Sequence, residues 1–509
     1  MRPKLAWAWV LPAVAAELCL EYLASGPLTY GYMSDEFYYL DCVRHLAWGY
    51  VDHPPLSIAA LAGVRAVLGD SVLGLHAVPA LLGAANILGI AALARELRGG
   101  AVAQGLAALA ALVSPVFLAV SGFWSMNAIE PPLWTLAYWL VARIASGAPR
   151  VTWLWLGLVL GLGLMNKISM LWFGFGLAVG LLATPERRWL ATPWPWACAG
   201  LALLVFAPHL AWQVQNGWPT LEFMHNATAD KMTHKSVLEF VGEQALLMTP
   251  LGIPVWLAGA IYLFVRGGSR RILGWIWLTV LVFLSVSGSA RSNYSAPAYA
   301  AVIAAGGVAW ESIAIARPRL RWVPLALALL LALGLSAAPL GIPLVPPDRY
   351  PAYEAALGVR PPKDQIDALG PLPLHFALRF GWVELVDGVA RAYQSLTPEE
   401  RARAVIVGQN FAETGALNFY GPARGLPRAV SGHNNYWLWG PGTVDGSAVI
   451  VIGHDDSAAR LREDFASVER AGEIHCRYCM PALDHDVVYV CRGLRRPIDQ
   501  IWAELKHYI

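Results

Sequence analysis

The stretch SVLGLHAVPALLGAANILGIAALA, residues 71–94, contains no Asp, Glu, Lys or Arg. A helix needs about 20 mostly apolar residues to cross the hydrocarbon core of a bilayer, so this stretch predicts a membrane-spanning helix. Apolar stretches on both sides bring the expected total to about eleven spans: residues 5–24, 71–94, 101–120, 129–146, 151–166, 168–184, 193–212, 244–265, 272–289, 294–316 and 322–344. Because Glu17 and Glu21 interrupt the first stretch, we expect a retained helix there and not a cleaved signal peptide.

The composition divides the chain into two parts. Hydrophobic residues make up 57% of the chain and charged residues only 14%, whereas a soluble domain has about 25% charged residues. The apolar stretches lie in residues 1–345, and charged residues reach ordinary density in 346–509. We therefore predict a transmembrane domain, 1–345, with outer loops 25–70 and 213–243, followed by a soluble domain, 346–509. The net charge of +2 gives no case for nucleic-acid binding.

The distribution of Lys and Arg predicts the orientation in the membrane. Basic residues are enriched in cytoplasmic loops, and most of those in the membrane part fall on one side, for example at Arg187, Arg188, Arg270 and Arg271. We therefore expect a multi-pass protein of the inner (plasma) membrane with a cytoplasmic N-terminus and an extracytoplasmic C-terminal domain. Within the first outer loop, residues 55–68 are too short to span and predict an interfacial helix.

The C-terminal part reads as a small α/β domain. Its linker is rich in proline, at positions Pro346, Pro347, Pro351, Pro361 and Pro362. Short β-branched runs predict strands at 404–408, 448–453 and 486–491, and helical patterns lie at 375–391, 411–420 and 456–471. This alternation predicts a largely parallel sheet.

Three cysteines in this domain suggest a covalent or metal-bound link. Cys476 and Cys479 form a CxxC pair, and Cys491 follows in a strand pattern. In an oxidising compartment a disulfide is favoured, and a zinc site shared with His475 is the alternative.

The chemically richest stretch is SDEFYYLDCVRHLAWGYVDHPPL, residues 34–56, in the first outer loop. Asp35 and Glu36 are adjacent acids, and Asp52 and His53 precede two prolines that stiffen the chain. A helix N-terminus capped by Ser34 explains the two acids structurally. That interpretation and a functional one stand equal for Glu36, whereas the position of Asp35 beside the membrane favours function.

This stretch resembles the first loop of dolichyl-phosphate-mannose protein mannosyltransferases and of bacterial lipid A aminoarabinose transferases, which share the GT-C membrane fold. The shared elements are Asp35-Glu36 and His53-Pro54-Pro55-Leu56. The mannosyltransferases similarly carry His before Pro-Pro, while the aminoarabinose transferases carry Lys. The departure at His53 therefore makes aminoarabinose transfer the less favoured activity.

Further motifs extend the resemblance over nearly the whole chain. GFWSMNAIEPPL (122–133) supplies Asn127 and Glu130, GLGLMNKISM (161–170) supplies Lys167, and RSNYSAPAY (291–299) supplies Arg291 and Tyr294. The segments GQNFAETGALNFYG and SGHNNYWLWGP look like the periplasmic domain of bacterial members. Each motif is short, so their combination and order carry the resemblance.

The resemblance implies an inverting glycosyltransferase that moves a sugar from a polyprenyl-phosphate donor to an extracytoplasmic acceptor (glycan, lipid or protein). Its expected partners are that donor, that acceptor and membrane lipid. No cofactor is required and no metal site is predicted, although an acidic pair can hold a divalent ion. The expected roles are catalysis (Asp35, Glu36), binding of the donor phosphate (Lys167, Arg291, His53) and binding of the substrate (Asp52, Asn127, Glu130, Tyr294).

Alternatives from other classes stay open at this point. A transporter or lipid flippase would also carry ionisable groups among membrane helices, and a polysaccharide ligase or polymerase would share the donor. Lys167 and Arg291 have a second interpretation as side chains that snorkel to the interface, and Glu130 as a helix cap. Charged residues gathered in one outward cavity favour transfer, whereas a charged path across the membrane favours transport.

Overall fold

The structure is a computed structural model that describes residues 3–358 and 370–509. Pro361 and Pro362 of the predicted linker lie outside these residues. The N-terminal part is helical, and its helices are α1 (Trp7–Ser25), α2 (Ser34–Cys42), α3 (Leu56–Leu68), α4 (Val72–Glu96), α5 (Ala101–Leu112), α6 (Pro115–Ser121), α7 (Met126–Ala145), α8 (Thr152–Asn166), α9 (Met170–Leu182), α10 (Pro193–Gln215), α11 (Pro219–Asn226), α12 (Val237–Leu247), α13 (Ile253–Arg266), α14 (Arg271–Ser287), α15 (Tyr299–Ala316) and α16 (Val323–Leu333).

Among the described residues, fewer helices have the length and hydropathy of a membrane span than the sequence predicted. Within the described residues, six helices are long and apolar enough to cross a membrane, or up to eight if each bent pair counts as one span. The eleven expected spans are not confirmed, although each predicted stretch contains helix. Two of them, α8 and α9, have only 15 and 13 residues, shorter than the roughly 20 needed for a straight crossing.

Prolines explain the two bent pairs. Pro115 starts α6 directly after Ser114, and the axes of α5 and α6 differ by 66°. Pro250 lies between α12 and α13, whose axes differ by 88°. Proline lacks the N–H that would continue the helix ladder and its ring clashes with the preceding turn, so a continuous apolar sequence breaks there.

Small residues allow membrane helices to approach closely. A side chain at Gly259 of α13 would collide with the backbone of Val302 in α15, and one at Gly306 of α15 would collide with Val255 in α13. Backbones in contact gain van der Waals packing that lipid tails cannot supply. These two glycines therefore allow α13 and α15 to pack closely. Helix α15 directly follows the turn that begins after Arg291.

The C-terminal part contains a mixed five-stranded sheet in the order β2-β1-β3-β5-β4. The pairs β1–β2 and β1–β3 are parallel, while β3–β5 and β4–β5 are antiparallel. Its elements are α17 (Tyr350–Leu357), α18 (Leu374–Ala377), α19 (Trp382–Gln394), α20 (Pro398–Arg401), β1 (Val405–Val407), α21 (Phe411–Tyr420), β2 (Ala429–Val430), α22 (Asn435–Trp439), β3 (Val449–Gly453), α23 (Ser457–Asp464), β4 (Phe465–Glu473), β5 (Val487–Leu494) and α24 (Ile498–Glu504).

Two sequence predictions for this domain were wrong. The sheet is not largely parallel, and the helix predicted at 456–471 ends at Asp464, where β4 begins. Strand β4 lies at the edge of the sheet and carries charged side chains, as edge strands do. It therefore lacks the β-branched run that identified the other strands. The three predicted strands are present as β1, β3 and β5.

The predicted disulfide is present between Cys476 and Cys479, with their Cα atoms 5.8 Å apart. Paired thiols cannot ligate zinc, so the zinc alternative that used them does not apply to this state. Cys491 is a free, buried residue of β5.

The first outer loop and the C-terminal domain share one hydrophobic core. Phe37 and Tyr38 of α2 belong to the same buried cluster as Trp382 of α19 and Leu417 of α21. Helix α21 lies so close to α2 that a Cβ on Gly415 would stand 2.8 Å from the carbonyl carbon of Phe37. The soluble domain is thus packed directly against the loop that carries the candidate catalytic residues.

Candidate active site

Asp35 lies in the first turn of α2 and faces two cations from distant parts of the chain. The Ser34 hydroxyl donates to its Oδ1 over 3.2 Å. Burial raises the pKa of Asp35, the positive charges of Lys231 and Arg291 lower it in part, and Asp52 raises it further. Lys231 ends the π-helical turn Ala227–Lys231, and Arg291 precedes the 3₁₀ turn Ser292–Ala298. A carboxylate that two cations influence electrostatically is suited to binding and activating a phosphate-linked substrate.

Glu36 points the other way, into the protein. Its carboxylate accepts hydrogen bonds from the backbone N–H groups of Met33 and Trp124, each 2.8 Å away, and contacts Nε2 of His76 at 2.9 Å. Burial would raise the pKa of Glu36, but the charge and hydrogen bond of His76, with the more distant Arg379, leave it lowered. The placement favours the helix-capping interpretation of Glu36 over the catalytic one, because its oxygens hold the start of α2.

Arg379 adds a second support beneath α2. The guanidinium of this buried residue donates to the carbonyl oxygens of Gly31, at 3.0 Å, and Gly122, at 3.3 Å. The Ser34 N–H in turn donates to the Leu378 carbonyl oxygen at 3.0 Å. The C-terminal domain therefore fixes the chain that leads into Asp35.

Asp52 and His53 close the same side of the site. The hydroxyl of Tyr38 lies 2.9 Å from Asp52 Oδ1, and the His53 ring stacks on Tyr39 with centroids 4.8 Å apart. His53 is buried, and its Nδ1 lies 3.0 Å from the Pro54 carbonyl oxygen, which makes Nδ1 the donor. Its Nε2 lies 3.9 Å from Asp52 Oδ1 and has no hydrogen-bond partner among residues 3–358 and 370–509.

Lys167, Asn127, Glu130 and Tyr294 form one cluster. The Lys167 ammonium donates to Glu130 Oε2 at 2.7 Å and to Asn127 Oδ1 at 2.8 Å. It also lies 4.8 Å from the centroid of the Tyr294 ring, and Ser169 donates to the other oxygen of Glu130. A buried ammonium needs such partners. Lys167 is therefore held inside the protein and does not reach for the membrane surface, and Glu130 is its counter-ion.

Backbone contacts join this cluster to Asp35. The N–H of Met126, next to Asn127, donates to the Tyr39 hydroxyl at 3.4 Å. The N–H of Tyr294 donates to the Arg291 carbonyl oxygen at 3.1 Å. The nine residues that the sequence singled out thus come from α2, the following loop, the start of α7, the end of α8 and the turn after α14. Asp35 interacts electrostatically with Asp52 and Arg291, whereas Lys167, Asn127, Glu130 and Tyr294 form a cluster of their own, and Glu36 contacts His76.

Lys231 is a site residue that sequence reasoning missed. It lies in the second outer loop, and its charge acts on Asp35. The only signal was its place among the few basic residues on the outer side. No motif marked it.

Asp41 is a second residue that the sequence did not reveal. This buried carboxylate accepts hydrogen bonds from Asn418 Nδ2 at 2.6 Å, from the Tyr436 hydroxyl at 2.7 Å and from Arg428 Nη2 at 2.9 Å. All three donors belong to the C-terminal domain. Asp41 therefore anchors that domain to the helix that begins with Asp35.

Asn435 of the same domain contacts residues next to Asp52. Its Oδ1 accepts from the Val51 N–H at 2.7 Å and lies 3.0 Å from the Tyr38 hydroxyl, which also contacts Asp52. The SGHNNYWLWGP segment thus contributes directly to the wall that holds Asp52.

Comparisons with known proteins concern the family and the fold. Residues 52–212 match the family described as dolichyl-phosphate-mannose-protein mannosyltransferase. The whole chain has the fold of ArnT from Cupriavidus metallidurans. The structure of that protein bound to undecaprenyl phosphate gives a TM-score of 0.64 at 16% identity, over 95% of this chain and 98% of that one. Its apo state gives a TM-score of 0.60 at 16% identity, over 96% and 98%. No curated protein matches the sequence. The family match supports the resemblance predicted from the sequence over residues 52–212, and the fold is that of a multi-pass membrane protein with a small C-terminal sheet domain.

Proposed function

We propose that this chain is an inverting glycosyltransferase that moves a sugar from a polyprenyl-phosphate donor to an extracytoplasmic acceptor, either a glycan, a lipid or a protein. The observation that carries the proposal is the half-buried Asp35 carboxylate facing the cations Lys231 and Arg291. The fold shared with a protein captured with undecaprenyl phosphate supports a lipid-phosphate donor.

In the proposed reaction the Asp35 carboxylate accepts the proton of an acceptor hydroxyl. The acceptor oxygen then forms a bond to the anomeric carbon, while the bond from that carbon to the phosphate oxygen breaks. Polyprenyl phosphate leaves with the bonding electrons. Because the leaving group is already a phosphate, the step needs no nucleotide. A carboxylate with a raised pKa is a stronger base than an ordinary aspartate, which favours this role.

The cations stabilise the charge that develops on the leaving phosphate. Arg291 offers a planar fork of donors and Lys231 a compact charge, and their electrostatic effect on Asp35 supports this role for both. Lys167 is already paired with Glu130, which reduces its contribution to phosphate binding. His53 Nε2, which lies beside Asp52, is positioned to accept a hydrogen bond from a ligand hydroxyl.

An apolar groove between α9 and α14 suits a prenyl chain. It has a volume of about 500 Å³ and is lined by Phe175, Trp275, Leu278, Thr279, Val282, Phe283, Val286 and Ser287. The Phe283 ring lies 6.3 Å from that of Trp172, which lies 6.0 Å from that of Tyr294. Tyr294 in turn contacts Lys167. Aromatic contacts thus connect a lipid-facing groove with the charged cluster.

A transporter or lipid flippase is the alternative class. The electrostatic coupling of Asp35 with Asp52, Lys231 and Arg291 favours transfer. Asp52 and the cations all act on Asp35, so these groups form one cluster and not a sequence of sites along a path.

The experiment that tests the proposal follows donor consumption by the purified protein. A fluorescent polyprenyl-phosphate sugar is incubated with an envelope extract, and release of polyprenyl phosphate is measured by mass spectrometry. Asp35→Asn should slow release by at least about 10²-fold, the lower limit of acid–base catalysis. Asp387→Asn serves as the control, because Asp387 forms a surface ion pair with Arg424. Release that stays within about tenfold in Asp35→Asn would exclude Asp35 as the base.

A further inference from the structure

The C-terminal domain carries a cluster of metal-ligating side chains outside the candidate active site. Glu473 ends β4, His475 follows it, and His485 precedes β5. Within the described residues, the potential ligand atoms of these three side chains all lie within 4.8 Å of one another. His485 Nδ1 is 2.8 Å from Glu473 Oε1, and His475 Nε2 is 3.8 Å from the same oxygen. Two imidazole nitrogens and a carboxylate oxygen thus lie close together, and an ion bound by all three would replace the hydrogen bond between His485 and Glu473.

The backbone around the cluster is held in place. The His485 N–H donates to the Ile474 carbonyl oxygen at 2.8 Å, and the Ile474 N–H donates to the Asp486 carbonyl oxygen at 2.7 Å. The disulfide between Cys476 and Cys479 closes the segment that follows His475. The two histidines are therefore fixed across the base of one loop, and a site supported in this way needs little reorganisation to bind an ion.

Asp484 lies on the opposite side of both rings. Its Oδ2 is 3.5 Å from His485 Nε2, and its Oδ1 is 3.9 Å from His475 Nδ1. These are the ring nitrogens that do not face Glu473. Metal-binding histidines commonly donate their second ring N–H to a carboxylate, which fixes the tautomer and strengthens the ligand. Asp484 is in position to do this for both histidines, and the Cys476 N–H holds it at 3.0 Å.

The other contacts of the cluster leave room for an ion. Arg470 Nη2 binds Glu473 Oε2 at 2.7 Å, so Oε1 is the oxygen that faces the histidines. The side chains of His475 and His485 are 62% and 68% exposed, which gives an ion access from solvent. Imidazole ligands select zinc and similar metals, whereas calcium and magnesium prefer oxygen ligands alone.

We infer that Glu473, His475 and His485 bind a zinc ion on the extracytoplasmic domain, with Asp484 orienting the two histidines. The ion ties the end of β4 to the start of β5, on either side of the disulfide-closed loop. The inference stands on this cluster alone and does not depend on the proposed transfer reaction.

The test uses the full chain in detergent, purified without a polyhistidine tag, stripped with a chelator and dialysed against Zn²⁺ for elemental analysis. We expect one zinc per chain, and loss of binding by more than about tenfold in His475→Ala and in His485→Ala. Asp484→Asn should weaken binding by about 10- to 100-fold, the usual effect of losing an outer-shell partner. His225→Ala, which removes an exposed histidine of α11, should bind as the wild type does.

Two results would overturn the inference. One is retention of zinc with wild-type affinity in the His475→Ala/His485→Ala double variant. The other comes from Co²⁺ used as a coloured substitute: a thiolate charge-transfer band would assign the ion to cysteines. The expected Co²⁺ spectrum lacks that band, because the ligands are nitrogen and oxygen. Both histidines are exposed, so their removal should leave the fold intact and the readout interpretable.

Discussion

Replacing Asp41 by Ala should loosen the C-terminal domain from α2. Three donors of that domain converge on this carboxylate: Asn418 at 2.6 Å, Tyr436 at 2.7 Å and Arg428 at 2.9 Å. Asn418 and Tyr436 are buried, so both lose their acceptor in a place that water does not reach. Their desolvation is then uncompensated, which is the costly way to lose a hydrogen bond.

The size of the effect follows from the burial of each partner. A hydrogen bond to a charged group contributes about 1.5–3 kcal/mol, which applies to the two buried donors. The Arg428 side chain is 48% exposed, so solvent reduces its contribution to about 0–1 kcal/mol. Asp41→Ala should therefore lower the free energy of unfolding by roughly 3–6 kcal/mol, close to the loss on breaking a buried ion pair.

A double-mutant cycle measures this directly. Urea unfolding in detergent compares wild type, Asp41→Ala, Tyr436→Phe and the double variant. Tyr436→Phe should cost about 1.5–3 kcal/mol in the wild type and almost nothing once Asp41 is gone. Arg428→Ala is the matched control, with an expected cost below about 1 kcal/mol. If the two changes are additive, or if Asp41→Ala costs less than about 1 kcal/mol, the anchoring argument fails.

Three further predictions concern the active site and the topology. If Asp35 is the base, transfer should fall as the pH drops through its raised pKa. Arg291→Gln removes a charge that lowers this pKa, so the acid limb of the kcat/KM profile should move to higher pH. An unchanged acid limb would mean that Arg291 does not act on Asp35. Lys167→Met should destabilise the protein by about 3–5 kcal/mol, because Glu130 stays buried without its cation. Adding Glu130→Gln should recover part of this loss in thermal unfolding. Purely additive effects of the two changes would mean that the ion pair has no net role. A reporter fused after residue 344 should be active outside the cytoplasm and one near residue 187 inside, and the reverse pattern at either position would invert the proposed orientation.

The sequence predicted the fold where local composition decides the structure. Apolar stretches located the membrane helices, and β-branched runs located β1, β3 and β5. It was wrong at β4, whose stability comes from pairing with β5, as in Val468 opposite Cys491, and not from its own residues. The predicted eleven spans are not confirmed: hydropathy located the apolar stretches, but it showed neither the proline bends of 66° and 88° nor that α8 and α9 are only 15 and 13 residues long.

For the site, the sequence motifs identified candidate residues but did not predict which of them contact one another. Lys167 showed no neighbouring acid in sequence, yet Glu130, 37 positions away, is its counter-ion. Asp35 and Glu36 are adjacent in sequence and point to opposite sides, because successive helical residues are about 100° apart. The partners of Asp41 lie more than 370 positions along the chain, and no local pattern reveals contacts of that length.

The shared core between α2 and the C-terminal domain has a consequence for biogenesis. Chains are made and exported from the N-terminus, so Asp41 leaves the ribosome hundreds of residues before Tyr436, 395 positions later. Until then Phe37 and Tyr38, buried in the finished protein, have no tertiary partner from that domain. In the nascent chain, α2 therefore lacks its packing against the C-terminal domain. Contacts between residues so distant in sequence form slowly. Under the proposed function, transfer therefore requires the final third of the chain, and incompletely synthesised chains should not act on lipid-linked sugar.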